Sequence, residues 1–266
     1  MANNSFFTSK TIAQNKLWTP FQQMNGLTET TSKGKAKTEE LQVSFQRRFS
    51  RGFNLNVNYT RLWQFAADYF PNPFDESPAW EPGTNGRPHR LVSTAVAELP
   101  FGPGRRWLRQ GIAGWVLGGY QMSVIQEYQS GALTSWSGTT YYTGSNVSDI
   151  CGGPQTVGQW FDTSSFVTNP TLVSTTGQAR VFPNYISGYG SCRSNSLKNF
   201  NVSMAREFHL FERGVLQLRA ALYNIGNQYV FSPPNTSVTG AQFGQVTAQV
   251  STSAQRAVVF QGRISF

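Results

Sequence analysis

Apolar and polar residues alternate with a period of two along much of this chain, and that alternation marks out strands. Leu41, Val43, Phe45 and Phe49 interleave with Gln42, Ser44, Gln46 and Arg48, which predicts one apolar and one polar face. After Ser50-Arg51-Gly52 the pattern resumes, with Phe53, Leu55, Val57, Tyr59 and Trp63 set against Asn54, Asn56, Asn58 and Thr60. Three asparagines on one face would each need hydrogen-bond partners in a dry core, so that face is predicted to be wet. Val116, Tyr120, Met122, Val124 and Tyr128 form another apolar face. So do Phe200, Val202, Met204, Phe208 and Leu210, opposite Asn201, Ser203, Glu207 and His209. Leu216, Leu218, Ala220 and Leu222 follow the turn Glu212-Arg213-Gly214, with Gln217, Arg219 and Tyr223 opposite. Arg90 to Leu99 carries small apolar groups on both faces, which leaves its phase open. In the last strand Val258, Phe260, Ile264 and the terminal Phe266 share one face, opposite Gln261, Arg263 and Ser265.

The connections alternate in length. Ser50 to Gly52, Pro100 to Gly111 and Phe211 to Gly214 are short or turn-like, whereas stretches at about 66–88, 130–198 and 226–255 are long and rich in Gly, Pro, Ser, Thr and Asn. Short turns at one end and long loops at the other are the layout of an antiparallel outer-membrane β-barrel. Trp63, Phe65, Trp115, Tyr128, Phe208, Phe211 and Tyr223 fall near strand ends, where amphipathic rings suit a headgroup boundary. The competing expectation is a soluble sandwich whose aromatics fill a core; the wet asparagine face and the alternating loops weigh against it. Residues 1–40 then read as a loop and partial strand leading into a transmembrane β-barrel segment over 41–266.

Composition sharpens the picture. Charged residues are 13% of the 266, about half the roughly 25% of an ordinary soluble domain, while aromatics reach 14%. Mean hydropathy of −0.36 comes from uncharged polar residues, so disorder of the charged, aromatic-poor kind is excluded. A membrane helix needs about 18–20 apolar residues. The best candidate, Arg109 to Glu127, is cut by Gly111, Gly114, Gly118 and Gly119. Met1 to Lys16 holds no apolar signal-peptide core, which leaves a cytosolic chain or one whose start lies upstream.

Particular segments resemble a known family. These are Leu41-Gln-Val-Ser-Phe-Gln-Arg-Arg-Phe-Ser-Arg-Gly-Phe, the Glu98-Leu-Pro-Phe-Gly turn, Gly131 closing Tyr-Gln-Ser-Gly, and Trp160-Phe-Asp-Thr. Arg219-Ala-Ala-Leu-Tyr-Asn-Ile-Gly-Asn, Phe243-Gly-Gln-Val-Thr and the ending Arg256 to Phe266 complete the set. From about Leu41 onward the chain is similar to the C-terminal barrel of Oar-like TonB-dependent transporters. The resemblance implies seven or eight strands of a larger barrel of about 22, in the outer membrane of a Gram-negative-type bacterium. It implies as partners outer-membrane lipid, the barrel-assembly machinery, an N-terminal plug with the remaining strands, TonB, and an unknown ligand. The implied activity is capture of a large ligand by external loops and its import with inner-membrane energy. A structural or adhesive barrel that displays loops without transport is the alternative. Val258, Phe260, Ile264 and Phe266 resemble the terminal-strand signal for membrane insertion.

Other chemistry is sparse. The net charge of +9 invites a nucleic-acid reading. However, Arg47, Arg48 and Arg51 sit at one predicted turn and Arg105, Arg106 and Arg109 at another, with no recognition motif between them, so no nucleic-acid partner is expected. His89 and His209 fall at opposite strand ends, too far apart for a shared metal or a Ser-His-Asp set. Gly102, Gly104 and Arg105 lack phosphate-loop spacing. No enzyme activity, cofactor or metal is expected. Asp68, Asp75, Glu76 and Glu81 concentrate acid in the first external loop, where they could contact a cation or basic ligand, or simply be solvated. Lumen-facing Asn54, Asn56, Asn58, Glu207 and Arg219 could contact a plug or ligand, or only fill a wet interior. Cys151 and Cys192 both fall in the longest predicted external loop, and passage through an oxidising periplasm would permit a disulfide in a loop expected to lack a core of its own. Two unrelated thiols are the alternative.

Overall fold

The computed structural model describes residues 32–70, 76–83, 86–102, 104–136, 141–142, 147–167, 188–210, 214–250 and 255–266. Two compact units divide the chain, Met1–Gly34 and Lys35–Phe266, and the elements below lie in the second. Its first strands are β1 (Lys35–Ser50), β2 (Phe53–Tyr69), the short β3 (Ala79–Pro82), β4 (His89–Glu98) and β5 (Tyr120–Gln129). Then come β6 (Gly188–Arg193), β7 (Leu197–His209), β8 (Val215–Tyr223) and β9 (Ala257–Ser265). The spanning strands β1, β2, β4, β5, β7, β8 and β9 hydrogen-bond in that order as a meander, and β3 joins the same sheet on β2. Every pairing along the path is antiparallel. β6 lies in the longest loop, where it pairs with a short strand, Leu133–Ser135.

Register shows why this sequence makes such a sheet. One row runs Arg47, Leu55, Ala95, Val124, Val202, Leu222, Val258, and the next runs Phe53, Ala97, Met122, Met204, Ala220, Phe260. On the other face, the row between them reads Asn54, Val96, Ser123, Ser203, Ala221, Val259, and the row beyond Leu55 reads Gln46, Asn56, Thr94, Ile125, Asn201. A side-chain period of two thus places a mostly apolar face outward across all seven strands and a mostly polar face inward. The open phase of β4 is fixed by its neighbours: Leu91, Ser93, Ala95 and Ala97 lie outward, paired with Tyr59, Val57, Leu55 and Phe53. Ser93 and Gln126, polar residues facing outward, bond each other at 3.4 Å.

Neither face has a dry core. Among the described residues only Ala67 and Ala221 of the spanning strands are buried and hydrophobic, while Leu41, Phe45, Phe200, Leu218 and Ile264 are exposed and Phe260 is 80% exposed. A wall with lipid on one side and water on the other has this distribution. Among the described residues no helix is long and apolar enough to cross a membrane.

At the short-turn end, β1 and β2 are joined by Arg51 (φ 53°) and Gly52 (φ 75°), two left-handed residues as a tight hairpin requires. The β4–β5 connection differs from the expected turn. Val116, assigned by alternation to a strand, lies instead in a short helix, α1 (Gly111–Leu117), and β5 begins only at Tyr120. Val116 and Tyr120 are four apart, a spacing that fits a helix as well as a strand. The helix ends at Gly118, which is extended (φ −87°, ψ 160°) and where only glycine fits, since a Cβ there would stand 2.6 Å from the Gly102 Cα and 2.5 Å from the Gly114 oxygen. The connection between Glu98 and Tyr120 is therefore a folded segment and not a short turn.

Candidate functional site

The long loops at the opposite end form a cap with a core. Trp136, Ile150, Trp160, Phe161, Phe166, Cys192 and Val246 are buried together, with Tyr142, Cys151, Phe231, Val238 and Phe243 packed against them. Phe166 stacks on Trp136 with centroids 5.4 Å apart, and Phe243 meets Phe161 and Phe166 edge-on at 5.3 and 5.4 Å. The expectation of a loop without its own core is corrected here. Side chains drawn from the second and third long loops hide one another from water, as in a small soluble domain. Cys151, at the end of a 3-10 turn (Val147–Cys151), and Cys192, in β6, are joined as a disulfide with Cα atoms 5.3 Å apart.

Some of the segments behind the resemblance lie in or beside this cap. The Trp160 indole N-H donates to the Arg193 carbonyl at 2.8 Å, and the Trp160 amide donates to the Gly244 carbonyl at 2.7 Å. The Asp162 carboxylate accepts the Ser164 amide at 2.9 Å, and that bond holds its pKa below the usual carboxylate range. Gly131 lies so close to the Ser194 carbonyl that a Cβ would stand 1.8 Å away. Asn224, buried and left-handed at φ 48°, donates its amide to Asn201 Oδ1 at 2.8 Å and bonds both the amide and the carbonyl of Gln228. The Tyr-Asn-Ile-Gly-Asn motif is therefore a loop anchor.

Arg193 ties the cap to the first long loop, donating from Nη1 to the carbonyls of Gly86 at 3.1 Å and Gly131 at 3.2 Å. Burial first, and then the nearby Arg61 charge, push its pKa down. Burial also raises the pKa of Tyr142, with Asp149 and Asp162 adding to the shift. Of the acidic residues singled out from sequence, Asp68 lies within β2, which runs six residues past Trp63, and not in a loop. Glu81 sits in β3 opposite Ala66, Glu76 is on the connecting segment, and Asp75 lies outside the described residues, as does Phe211. Among the described residues no three His, Cys, Asp or Glu side chains gather as a metal site. His89 opens β4 and His209 closes β7, at opposite ends of the wall.

The inward face carries a ladder of polar contacts from one end to the other. Arg90 bonds Glu127 at 3.1 Å near the cap, and Ser44 donates to Asn58, which donates to Asn56, at 2.8 and 3.1 Å. Arg219 donates to Ser203 at 3.2 Å and Gln217 to Glu207 at 3.0 Å. Arg105 pairs with Glu98 at 2.6 Å at the short-turn end. There Glu98, Arg105, Gln121, Glu207 and Gln217 surround a hollow of about 200 Å³. Asn54, Asn56, Asn58, Glu207 and Arg219 all lie on this face by register. Chemically it can hydrate and hydrogen-bond whatever fills the lumen.

Sequence reasoning missed the cap core and α1. Trp136, Trp160-Phe161 and Phe166 inside a loop rich in Ser, Thr and Gly were the available signal.

An antiparallel meander with an apolar outside, a polar inside and capped long loops defines the wall of a membrane-spanning barrel. The chain belongs to the outer membrane beta barrel domain family, whose model matches residues 2–261, and its place is the outer membrane of a Gram-negative-type bacterium. No curated protein and no solved structure matches the chain.

Proposed function

We propose that this wall is the closing section of a TonB-dependent receptor barrel of the Oar-like kind, which captures a large ligand with its external loops and imports it with inner-membrane energy. The carrying observation is the sheet itself: seven spanning strands share one polar inner face, and among the described residues β1 and β9 stand at its two ends without pairing to each other. Open edges in hydrocarbon leave backbone groups unsatisfied at several kcal/mol apiece, so such a wall calls for further strands. A wide barrel with a polar interior has room for a plug. The order of the Oar-like motifs, from Leu41 to Phe266, supports the same reading. The cap would make the first ligand contact, and the polar ladder would line the path beside the plug.

The test is cross-linking in intact cells, followed by purification of the protein from outer membranes. A TonB-dependent receptor yields a covalent adduct with TonB that disappears when the N-terminal contact segment is deleted. Absence of any adduct, with surface display intact, would favour the adhesive or structural barrel.

A further inference from the structure

The connection between β4 and β5 holds features that the barrel wall alone does not require. Leu99 to Gly119 contains Arg105, Arg106 and Arg109 and no acidic residue. Its aromatic and aliphatic side chains are not tucked away: Ile112 is 83% exposed and Trp115 64%, and Trp107 and Leu117 are exposed as well. Such groups on a segment outside the sheet are at home in a lipid headgroup boundary and out of place in water.

Side chains of α1 overhang the outward face of the sheet. Val116 and Leu117 line one side of an apolar groove of about 640 Å³, and Met204, Leu218, Ala220 and Phe260 of the outer wall line another. Register places those four on the lipid-facing rows. One charge shares the row of Leu218. Arg206 pairs across the sheet with Tyr120 on one side and Leu218 on the other, both of which line the groove. Its guanidinium lies 4.4 Å from the Phe208 ring centroid, 5.3 Å from Tyr120 and 5.5 Å from Trp115, and it donates to the Val116 carbonyl at 2.8 Å. A guanidinium on a lipid-facing row is costly at mid-depth and tolerable near the interface. Arg206 is three residues from the end of β7 at the short-turn side, the depth at which it can meet a headgroup.

We propose that this groove binds a phospholipid of the periplasmic leaflet, with an acyl chain along the α1-facing wall and an anionic headgroup phosphate at Arg206. Charge complementarity selects the occupant: the connection carries Arg105, Arg106 and Arg109 and no acid of its own, among the described residues only Arg105 is paired, with Glu98 of β4, and the groove behind it is apolar. Guanidinium suits a phosphate because its planar fork can give two parallel N-H donors. The inference rests on membership of the outer-membrane barrel family and on the short-turn end facing the periplasm, and it stands whether or not the barrel transports.

The protein is purified from outer membranes in mild detergent, mixed with vesicle lipid of equal phosphatidylglycerol and phosphatidylethanolamine content, and weighed by native mass spectrometry. A preference of roughly five-fold or more for retained phosphatidylglycerol is expected, because both lipids offer the phosphate but the ammonium of phosphatidylethanolamine is repelled by Arg206 and the arginines of the connection. Arg206→Gln should abolish that preference, whereas Arg90→Gln, on the inward face, should keep it. A second measurement does not depend on how the Arg206 variant folds: phosphatidylglycerol brominated on its acyl chain should quench the fluorescence that distinguishes the wild type from Trp115→Phe. Equal retention of both lipids by the wild type, retention of inorganic phosphate with no lipid, occupation of the groove by a second copy, or an unquenched Trp115 would overturn the proposal.

Discussion

Replacing Val57 with arginine should damage this protein far more than placing the same arginine one residue along, at Asn58. The two positions are neighbours in the chain and belong to opposite faces. Val57 lies outward in the row Phe45, Val57, Ser93, Gln126, Phe200, near the middle of the wall. An arginine facing lipid at mid-depth costs about 2–4 kcal/mol, roughly a thirty- to nearly thousand-fold fall in the folded-to-unfolded ratio. Asn58 lies inward, accepting from Ser44 at 2.8 Å and donating to Asn56 at 3.1 Å. The Asn58→Arg change would forfeit both of those hydrogen bonds, worth about 0.5–1.5 kcal/mol each, and lumen water would replace much of that loss. Urea titration of the protein in lipid vesicles, read by heat-modifiable gel mobility, gives both midpoints. A larger loss for Asn58→Arg than for Val57→Arg would invert the assignment of faces and, with it, the whole reading of the wall.

Three further outcomes follow from particular contacts. Deleting Phe266 from the full-length protein should lower its outer-membrane level, as quantified by immunoblot of membrane fractions; unchanged insertion would remove the terminal-strand signal from the account. Asn224→Ala should cost about 2–4 kcal/mol, from a left-handed residue without its side-chain bonds, and should raise amide exchange at Gln228 and Ile225 before any spanning strand; exchange at native rates would show the anchor to be dispensable. Expressed with no other strands, residues 35–266 should aggregate in detergent, because among the described residues β1 and β9 each pair on one side only; a folded, heat-modifiable monomer would reveal a complete small barrel.

The wall is legible in the sequence because its physics is local. A strand between two solvents must alternate, so Phe53 to Trp63 and Phe200 to Leu210 announce their faces without knowledge of any partner. The phase of β4 is not legible because Ala, Val and Ser are small enough for either face, and only pairing with β2 and β5 decides it. Extension of β2 to Tyr69 is hidden for a similar reason: Ala66 to Asp68 gain their strand conformation from Lys35, Ala36 and β3 and not from their own pattern. The helix α1 hides behind a four-residue spacing that alternation also satisfies. The cap is the least visible part, since its core draws Trp136, Phe166 and Val246 from positions up to 110 residues apart in the chain. Contacts of that range leave no period in a sequence.

The same residue types obey opposite rules in the two halves of this unit, and the difference can be measured. In the wall, Phe and Leu point outward because lipid is their solvent; in the cap, Trp136, Phe161 and Phe166 point inward because water is. Cap stability therefore rests on hydrophobic burial and on the Cys151–Cys192 crosslink, neither of which the wall uses. The crosslink closes a span of sequence separation 41. In the chain-entropy model a loop of that size is worth roughly 4 kcal/mol, a large share of what a small core can supply. Reduction of the folded protein should accordingly loosen the cap and leave the wall intact. Hydrogen exchange should rise at the amides of Trp160, Asp162 and Val246, which are bonded within the cap at 2.7, 2.8 and 2.9 Å. Heat-modifiable mobility, a property of the sheet, should not change. If reduction collapses both together, the wall depends on the cap and the two are one cooperative unit. If cap exchange stays slow, burial alone holds the loops and the disulfide contributes little.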